Sequence, residues 1–285
     1  MGRVYCDLLF TGLPHLPRLG QEVFAPDLSM SAGGGAFITA AAVKAVGGYG
    51  GLCAVLPATP FTDIVLRDMA EAGIDSSLCV TAAADQSPQI TVATVLGDDR
   101  AFLTHASGPV LPDTNWDDTW HHLHIGELRT LVEHPRLVAQ ARDRNMTVSL
   151  DCGWDDTLMF RGTEMSDLVA SVDLFLPNAS EFETLTKSGL NKCAAPLTVI
   201  KQGARGAQAV TADTKDHCPA LPVEVVDTTG AGDAFNGGFL ATWLSGASIS
   251  QALSMGVRCG AASVGQVGGT AGLRKMSQNP TQAAE

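Results

Sequence analysis

Val226–Phe239 reads VDTTGAGDAFNGGF, a glycine-rich turn that runs straight into a helix-forming stretch with a carboxylate, Asp233, just inside it. In a strand–turn–helix setting the backbone N–H groups of Gly230, Ala231 and Gly232 can converge on an anion at the helix N-terminus. Glycine lets the backbone come close to such an anion. A carboxylate beside the same anion would be repelled, so its presence points to work on a proton, and a general base for a hydroxyl nucleophile is the economical reading. The plain structural alternative is a helix start in which glycine makes the turn and Asp233 complements the helix dipole.

Around this stretch, strands alternate with helices. Strands are expected at 3–10, 51–57, 122–126, 146–151, 173–177, 197–201 and 207–211, and helices at 36–46, 61–72, 132–144, 178–187, 232–244 and 249–266. That rhythm argues for an α/β fold with a mainly parallel central sheet, helices on its flanks and right-handed crossovers. Two segments, about 8–31 and 87–103, are rich in strand character without helices between. The second is a hairpin around a Gly-Asp-Asp turn, apolar on both faces, with Ile90, Val92 and Leu96 on one and Ala93 and Val95 on the other. They are expected to form a small accessory β-sheet. A single domain over 1–276 follows, with a polar, disordered tail at 277–285.

At 285 residues with 45% hydrophobic and 17% charged residues, the chain has the makings of a globular core. Its net charge of −12 disfavours a nucleic-acid or anionic-membrane partner, so any phosphate must be held locally. Seven scattered cysteines, with no C-x-x-C pair, read as reduced thiols of a cytoplasmic protein. No apolar run reaches the roughly 20 residues that span a bilayer. There is no G-x-x-x-x-G-K-[ST] and no G-x-G-x-x-G after a predicted strand, which removes the P-loop and dinucleotide oxidoreductase readings.

Asp227–Asp233, D-T-T-G-A-G-D, resembles the D-T-x-G-A-G-D motif of the ribokinase-like, or PfkB-type, carbohydrate kinases. The resemblance extends over essentially the whole chain: Asp7, "SAGGGAFITA" (31–40), "LPNASEFE" (176–183) and "VIKQGARGA" (199–207) occur in the family's order. It implies Asp233 as catalytic base and Gly230, Ala231 and Gly232 as an anion hole. It also implies acceptor binding by Asp7, Gly33 and Gly34, and ATP binding by Lys201, Gly203 and Gly206. Mg²⁺ would be held near Asn178 and Glu181, and many members bind a monovalent cation near positions matching Asp227 and Thr229. The implied activity is transfer of the γ-phosphoryl of ATP to a hydroxymethyl group of a small sugar, sugar acid or nucleoside.

Plain readings stand beside several of these. Asn178 with Glu181 three residues on fits a capping box without metal, and Lys201 and Arg205 fit strand-end charges. On a strand only His122 and His124 share a face, and with no third ligand evident a structural role outweighs zinc. Two departures from the family pattern matter. Ile38 stands where an Asn commonly bonds acceptor hydroxyls, which opens the acceptor's identity and could favour a nucleoside kinase. Little chain precedes the first strand, so either the start is trimmed or that strand frays. The lid segments carry few cations, which favours an unphosphorylated sugar or sugar acid. A catalytically silent sugar- or nucleotide-binding regulator would not need Asp233. In the resembling family the accessory sheet is a lid, and two lids clasp in several members, so a homodimer through the lid strands is expected.

Overall fold

The computed structural model describes residues 1–96, 99–113, 116 and 119–278, with backbone alone at 99, 100, 277 and 278. Its strands are β1 (Tyr5–Thr11), β2 (Asp27–Gly33), β3 (Val55–Leu56), β4 (Val80–Thr81), β5 (Ile90–Leu96), β6 (Asp99–His105), β7 (His122–Ile125), β8 (Thr147–Asp151), β9 (Leu174–Leu176), β10 (Leu197–Lys201), β11 (Ala207–Val210) and β12 (Lys215–Cys218). Its helices are α1 (Gly35–Ala45), α2 (Phe61–Glu71), α3 (Leu128–Glu133), α4 (Leu137–Arg142), α5 (Gly162–Ala170), α6 (Ala179–Lys187), α7 (Ala231–Leu244), α8 (Ile249–Val264) and α9 (Ala271–Gln278). Residues 279–285, most of the tail expected to be disordered, lie outside the described residues.

The main sheet runs β12-β11-β10-β9-β8-β7, parallel from β7 to β10 and antiparallel at β11 and β12. Central strands such as Leu174-Phe175-Leu176 are buried throughout, as expected of parallel strands covered on both faces. Leu123, Val148, Leu150 and Phe175 join one core cluster with α3 to α6, while Leu174, Leu176 and Val199 join another with Phe235 and Phe239 of α7 and Val257 of α8. Burying a side chain such as Phe239 contributes about 1.5–3 kcal/mol relative to leaving it exposed.

The second sheet, ordered β2-β1-β5-β6, is built from the two β-only segments. β1 and β5 are parallel and the outer pairs antiparallel. Residues opposed across strands share a face. Register therefore places Leu8, Met30, Val92 and Leu103 in one apolar row, and Asp7, Ser31, Thr91 and Thr104 in a polar row on the other face. The apolar face stands open, with Leu103 74% and Leu28 52% exposed.

Residue 1 is not frayed: the Met1 amino group donates to His124 O at 2.6 Å, and Gly126 N donates to Met1 O at 2.8 Å. The first residues thus run along β7 before β1 departs into the smaller sheet. The helix expected at 132–144 is two short helices. Pro135 lacks an N–H and disfavours helical backbone at His134, which adopts φ −127°, ψ 65°.

Candidate active site

The turn before α7 is tied down on two sides. Asp227 Oδ1 accepts from Thr229 N at 2.8 Å and Thr229 Oγ1 at 2.6 Å, and Oδ2 accepts from Gly268 N at 2.9 Å. Gly230 then takes φ +70°, a left-handed conformation that favours glycine. A Cβ there would lie 2.6 Å from Ile38 Cδ1 and 3.1 Å from Gly269 Cα. Ile38 therefore packs behind this turn. The first N–H groups of α7 lack intrahelical acceptors, and Ala231 N makes only a long bond, 3.3 Å, to Thr228 O.

Asp233 sits in the first turn of α7 against the glycine loop that opens α1, where a Cβ on Gly35 would fall 2.6 Å from Asp233 Oδ1. Below lies a three-residue tie. Lys201 Nζ donates to Asp151 Oδ1 at 2.8 Å and to Asn236 Oδ1 at 3.1 Å, and Asn236 Nδ2 donates to Asp151 Oδ2 at 2.6 Å. Gly232 rests on the Lys201 stem and ammonium: its Cβ would lie 3.5 Å from Nζ. Lys201 and Asp151 close β10 and β8, and Asn178 follows β9. The carboxyl ends of parallel strands are where open α/β sheets bind ligands.

The charges at this end are unbalanced. Burial, then the neighbouring carboxylates of Asp151 and Glu181, push the Asp233 carboxyl up to about 7 against the pull of Lys201. Glu181 is raised for the same reasons, burial first and Asp151 next. Burial works against the Lys201 ammonium, but Asp151, Glu181 and Asp233 outweigh it and hold its pKa above the usual value.

At the other end of the glycine loop, the Asp7 carboxyl presses on Gly33 so closely that a Cβ there would overlap it. Gly34, at φ +101°, lies on the Arg3 carbonyl. Burial raises Asp7 to about 7, although a hydrogen bond with Thr91 pulls the other way. The carboxyls of Asp7 and Asp233 thus flank Gly33–Gly35. Glu127, just past β7, is a half-buried carboxyl whose pKa is raised by desolvation, and it accepts from Thr130 Oγ1 at 2.9 Å.

Asn178 and Glu181 form a complete capping box on α6: Glu181 N donates to Asn178 Oδ1 at 2.9 Å and Asn178 N to Glu181 Oε2 at 2.7 Å. Among the described residues no three His, Cys, Asp or Glu side chains converge to hold an ion. The donor set still fits Mg²⁺, which keeps several waters and uses one or two carboxylates with substrate phosphates, since Glu181, Asp151 and Asp233 leave an excess of negative charge. Gly203 is open to solvent at φ +58°, and a Cβ on Gly206 would overlap Cys218 O, so Gly206 lets the β10–β11 turn close on the segment after β12. That segment exposes Leu221, Val223, Val225 and Val226, an apolar shelf beside the turn. His122 and His124 bond Ser149 and Thr147.

Phosphoryl transfer to an alcohol is the chemistry for which an anion-ready helix start and a proton-accepting carboxyl are suited. The chain belongs to the pfkB family of carbohydrate kinases, whose model, described as pfkB family carbohydrate kinase, matches residues 18–276. It is 26% identical over 264 residues to an ATP-dependent ribose-1-phosphate kinase of Halopiger xanaduensis, covering 89% of this chain and 87% of that one. The nucleoside kinase of Methanocaldococcus jannaschii, an archaeal member of the ribokinase family, has the same fold, with TM-score 0.81 at 18% identity and coverage of 97% and 96%. The ribokinase of Cryptococcus neoformans, solved in complex with ADP, gives 0.79 at 21% identity, covering 97% of each chain.

Proposed function

We propose that the protein is an ATP-dependent kinase that phosphorylates a hydroxymethyl group of a small unphosphorylated sugar or sugar acid. The observation that carries the reading is the Asp233 carboxyl, pushed up to about 7 and seated between Gly35 and the Lys201–Asp151–Asn236 tie. The acceptor lies between Asp7 and Asp233, with its hydroxyl toward Asp233. Asp233 takes the hydroxyl proton as the oxygen bonds to the γ-phosphorus, and the bond to the leaving ADP oxygen breaks. The amides of Gly230, Ala231 and Gly232 take up charge on the transferring group, and Lys201 fixes the floor under that turn. The base of ATP rests on the apolar shelf beside Gly203 and Gly206. Bound Mg²⁺, reached from Glu181 and Asn178 through water, would offset phosphate charge. Any monovalent cation would sit by Asp227, whose carboxylate oxygens already hold the turn, and by Thr229.

The preference for an unphosphorylated acceptor is supported by cations that are already engaged. Arg3 pairs with Glu133, Arg67 with Asp68 and Arg129 with Asp155. A nucleoside acceptor is the alternative, favoured by the exposed Trp154 indole three residues past Asp151, a surface on which a base can stack. A homodimer through the lid strands and a cytoplasmic setting complete the proposal. Among the described residues no helix is long and apolar enough to cross a membrane. An ADP-release screen over free sugars, sugar acids, sugar phosphates and nucleosides tests the reading, with Asp233→Asn as control. ADP release by none of them, or equal release by the variant, overturns it.

A further inference from the structure

β2 is an edge strand of the smaller sheet, with β1 as its one strand neighbour among the described residues. Every second residue of such an edge turns its backbone N–H and C=O outward, and those groups need partners wherever water is kept away. Where β2 enters the body, the partners are side chains of α2. Ala32, 6% exposed, donates its N–H to Asp68 Oδ2 at 2.7 Å. Two residues earlier, Met30 O lies 3.5 Å from Arg67 Nη2. Arg67 also donates to Asp68 Oδ1, from Nε at 3.0 Å and from Nη2 at 2.9 Å. An ion pair of consecutive helix residues thus continues the ladder that a neighbouring strand would supply.

Asp68 is itself 4% exposed. Burying a carboxylate is costly unless it is paired and hydrogen-bonded, and an apolar side chain at this position of α2 would pack without that cost. What the carboxylate adds is a fixed acceptor for the Ala32 N–H. Directly after Ala32 come Gly33–Gly35, the stretch flanked by two carboxyls: a Cβ on Gly33 would overlap Asp7, and one on Gly35 would fall 2.6 Å from Asp233 Oδ1. Ala32 also stands opposite Cys6, the residue before Asp7. On its other side α2 meets α9, where Arg274 pairs with Glu71 and its Nη2 lies 4.0 Å from Asp68 Oδ1. α9 follows Gly269, whose Cα backs Gly230, so α2 is a common support for the acceptor loop and for the turn before α7.

We infer that Asp68 is a positioning residue for the acceptor: by holding Ala32 it keeps Gly33–Gly35 at the spacing that lets Asp7 and Asp233 reach the same acceptor molecule. The effect on the acceptor rests on the kinase reading; the tie itself does not. Released from Asp68, the loop holds that spacing for a fraction of the time, and apparent affinity falls by the same fraction. Bound acceptor restores the spacing, so the loss falls on KM rather than on kcat.

The test measures KM and kcat with the free sugar, sugar acid or nucleoside turned over fastest in the ADP-release screen. Asp68→Leu should raise acceptor KM about tenfold, as for a loop correctly placed about one-tenth of the time, with kcat within about threefold of the parent and ATP affinity by calorimetry unchanged. Asp68→Asn, whose amide oxygen still accepts from Ala32 N, should bring KM back to within about threefold. Arg67→Met, at an exposed side chain, probes the same tie if Asp68→Leu misfolds, with a rise in KM of about threefold expected. An unchanged KM in Asp68→Leu, or in Arg67→Met where Asp68→Leu misfolds, overturns the inference. So does Asp68→Asn no better than Asp68→Leu, or a loss confined to kcat, which a merely destabilised chain would show. Hydrogen exchange without acceptor reads the tie apart from catalysis: the Gly33–Gly35 amides should exchange about tenfold faster in Asp68→Leu, or detectably faster in Arg67→Met, while β9 keeps the parent rates. Unchanged exchange at the loop overturns the tie. Absence of ADP release by the parent with every acceptor would instead count against the kinase reading, and the exchange result would still decide the tie.

Discussion

Asp233→Asn keeps the shape of the site and removes the proton acceptor. It should lower kcat by about two to four orders of magnitude, the usual range for a positioned acid–base group, while calorimetry shows ATP binding intact. In the unsubstituted enzyme the rate should fall as pH drops through about 7, on a limb belonging to the coupled Asp233–Glu181 pair. Asp7 supplies a stability test. Its pKa is raised on folding from the ordinary 3.8 to about 7, so its protonated form favours the folded state. That contribution is fully present below 3.8 and lost as pH rises through about 7. Asp7→Asn should therefore raise Tm at pH 8, with the gain shrinking toward pH 4, while acceptor binding weakens. Equal Tm changes at both pH values would refute the assignment. Asp233 and its glycines were legible in the sequence because motif and chemistry agree there. Asp151 and Asn236 were not, since each acts through Lys201, fifty and thirty-five residues away in the chain. The available signal was that Asp151 ends a buried parallel strand.

The α6 capping box shows two functions competing for one spacing. If Glu181 serves only the cap, Glu181→Gln should leave Mg²⁺ dependence unaltered and shift Tm alone. Retained stability with a raised Mg²⁺ requirement, measured by metal titration, is the expected result, because Gln can still accept from Asn178 N. Asn178→Ala should cost about 1 kcal/mol of stability through the lost N-cap. The elements that periodicity revealed were those with a buried face, such as β8 to β10 and α8. β12, Lys-Asp-His-Cys, escaped notice because it is an edge strand with three exposed side chains. The break between α3 and α4 was visible as Pro135 and was overridden by the apolar pattern around it.

For the molecule as a whole, the uncovered lid face is the feature that demands a partner. Leu8, Met30, Val92 and Leu103 form one apolar row, and an open patch of this kind marks an interaction surface. Light scattering at micromolar concentration should give twice the chain mass, and Val92→Lys should return it to the monomer. A monomeric parent whose size and solubility are indifferent to that change would remove the clasp. The lid's existence was legible from strand character without intervening helices, whereas its two unlike faces required the register, which joins strands more than fifty residues apart.

The chain passes between lid and body at four places, after Val4, after Gly33, before Ile90 and after His105, and α2 braces β2 beside this line, where Ala32 N donates to Asp68 Oδ2 at 2.7 Å. Asp7, Gly33 and Thr91 lie near these places, while Thr11, Asp27 and Leu96 lie at the far end of the strands. A plate hung on such a line swings like a door, so its attachment points hardly travel while its rim sweeps widely. Grip on the acceptor and exclusion of water are then separable properties. Substitutions at the rim should change how much ATP is wasted on water and leave the acceptor's KM alone, whereas substitutions on the hanging line should do the reverse.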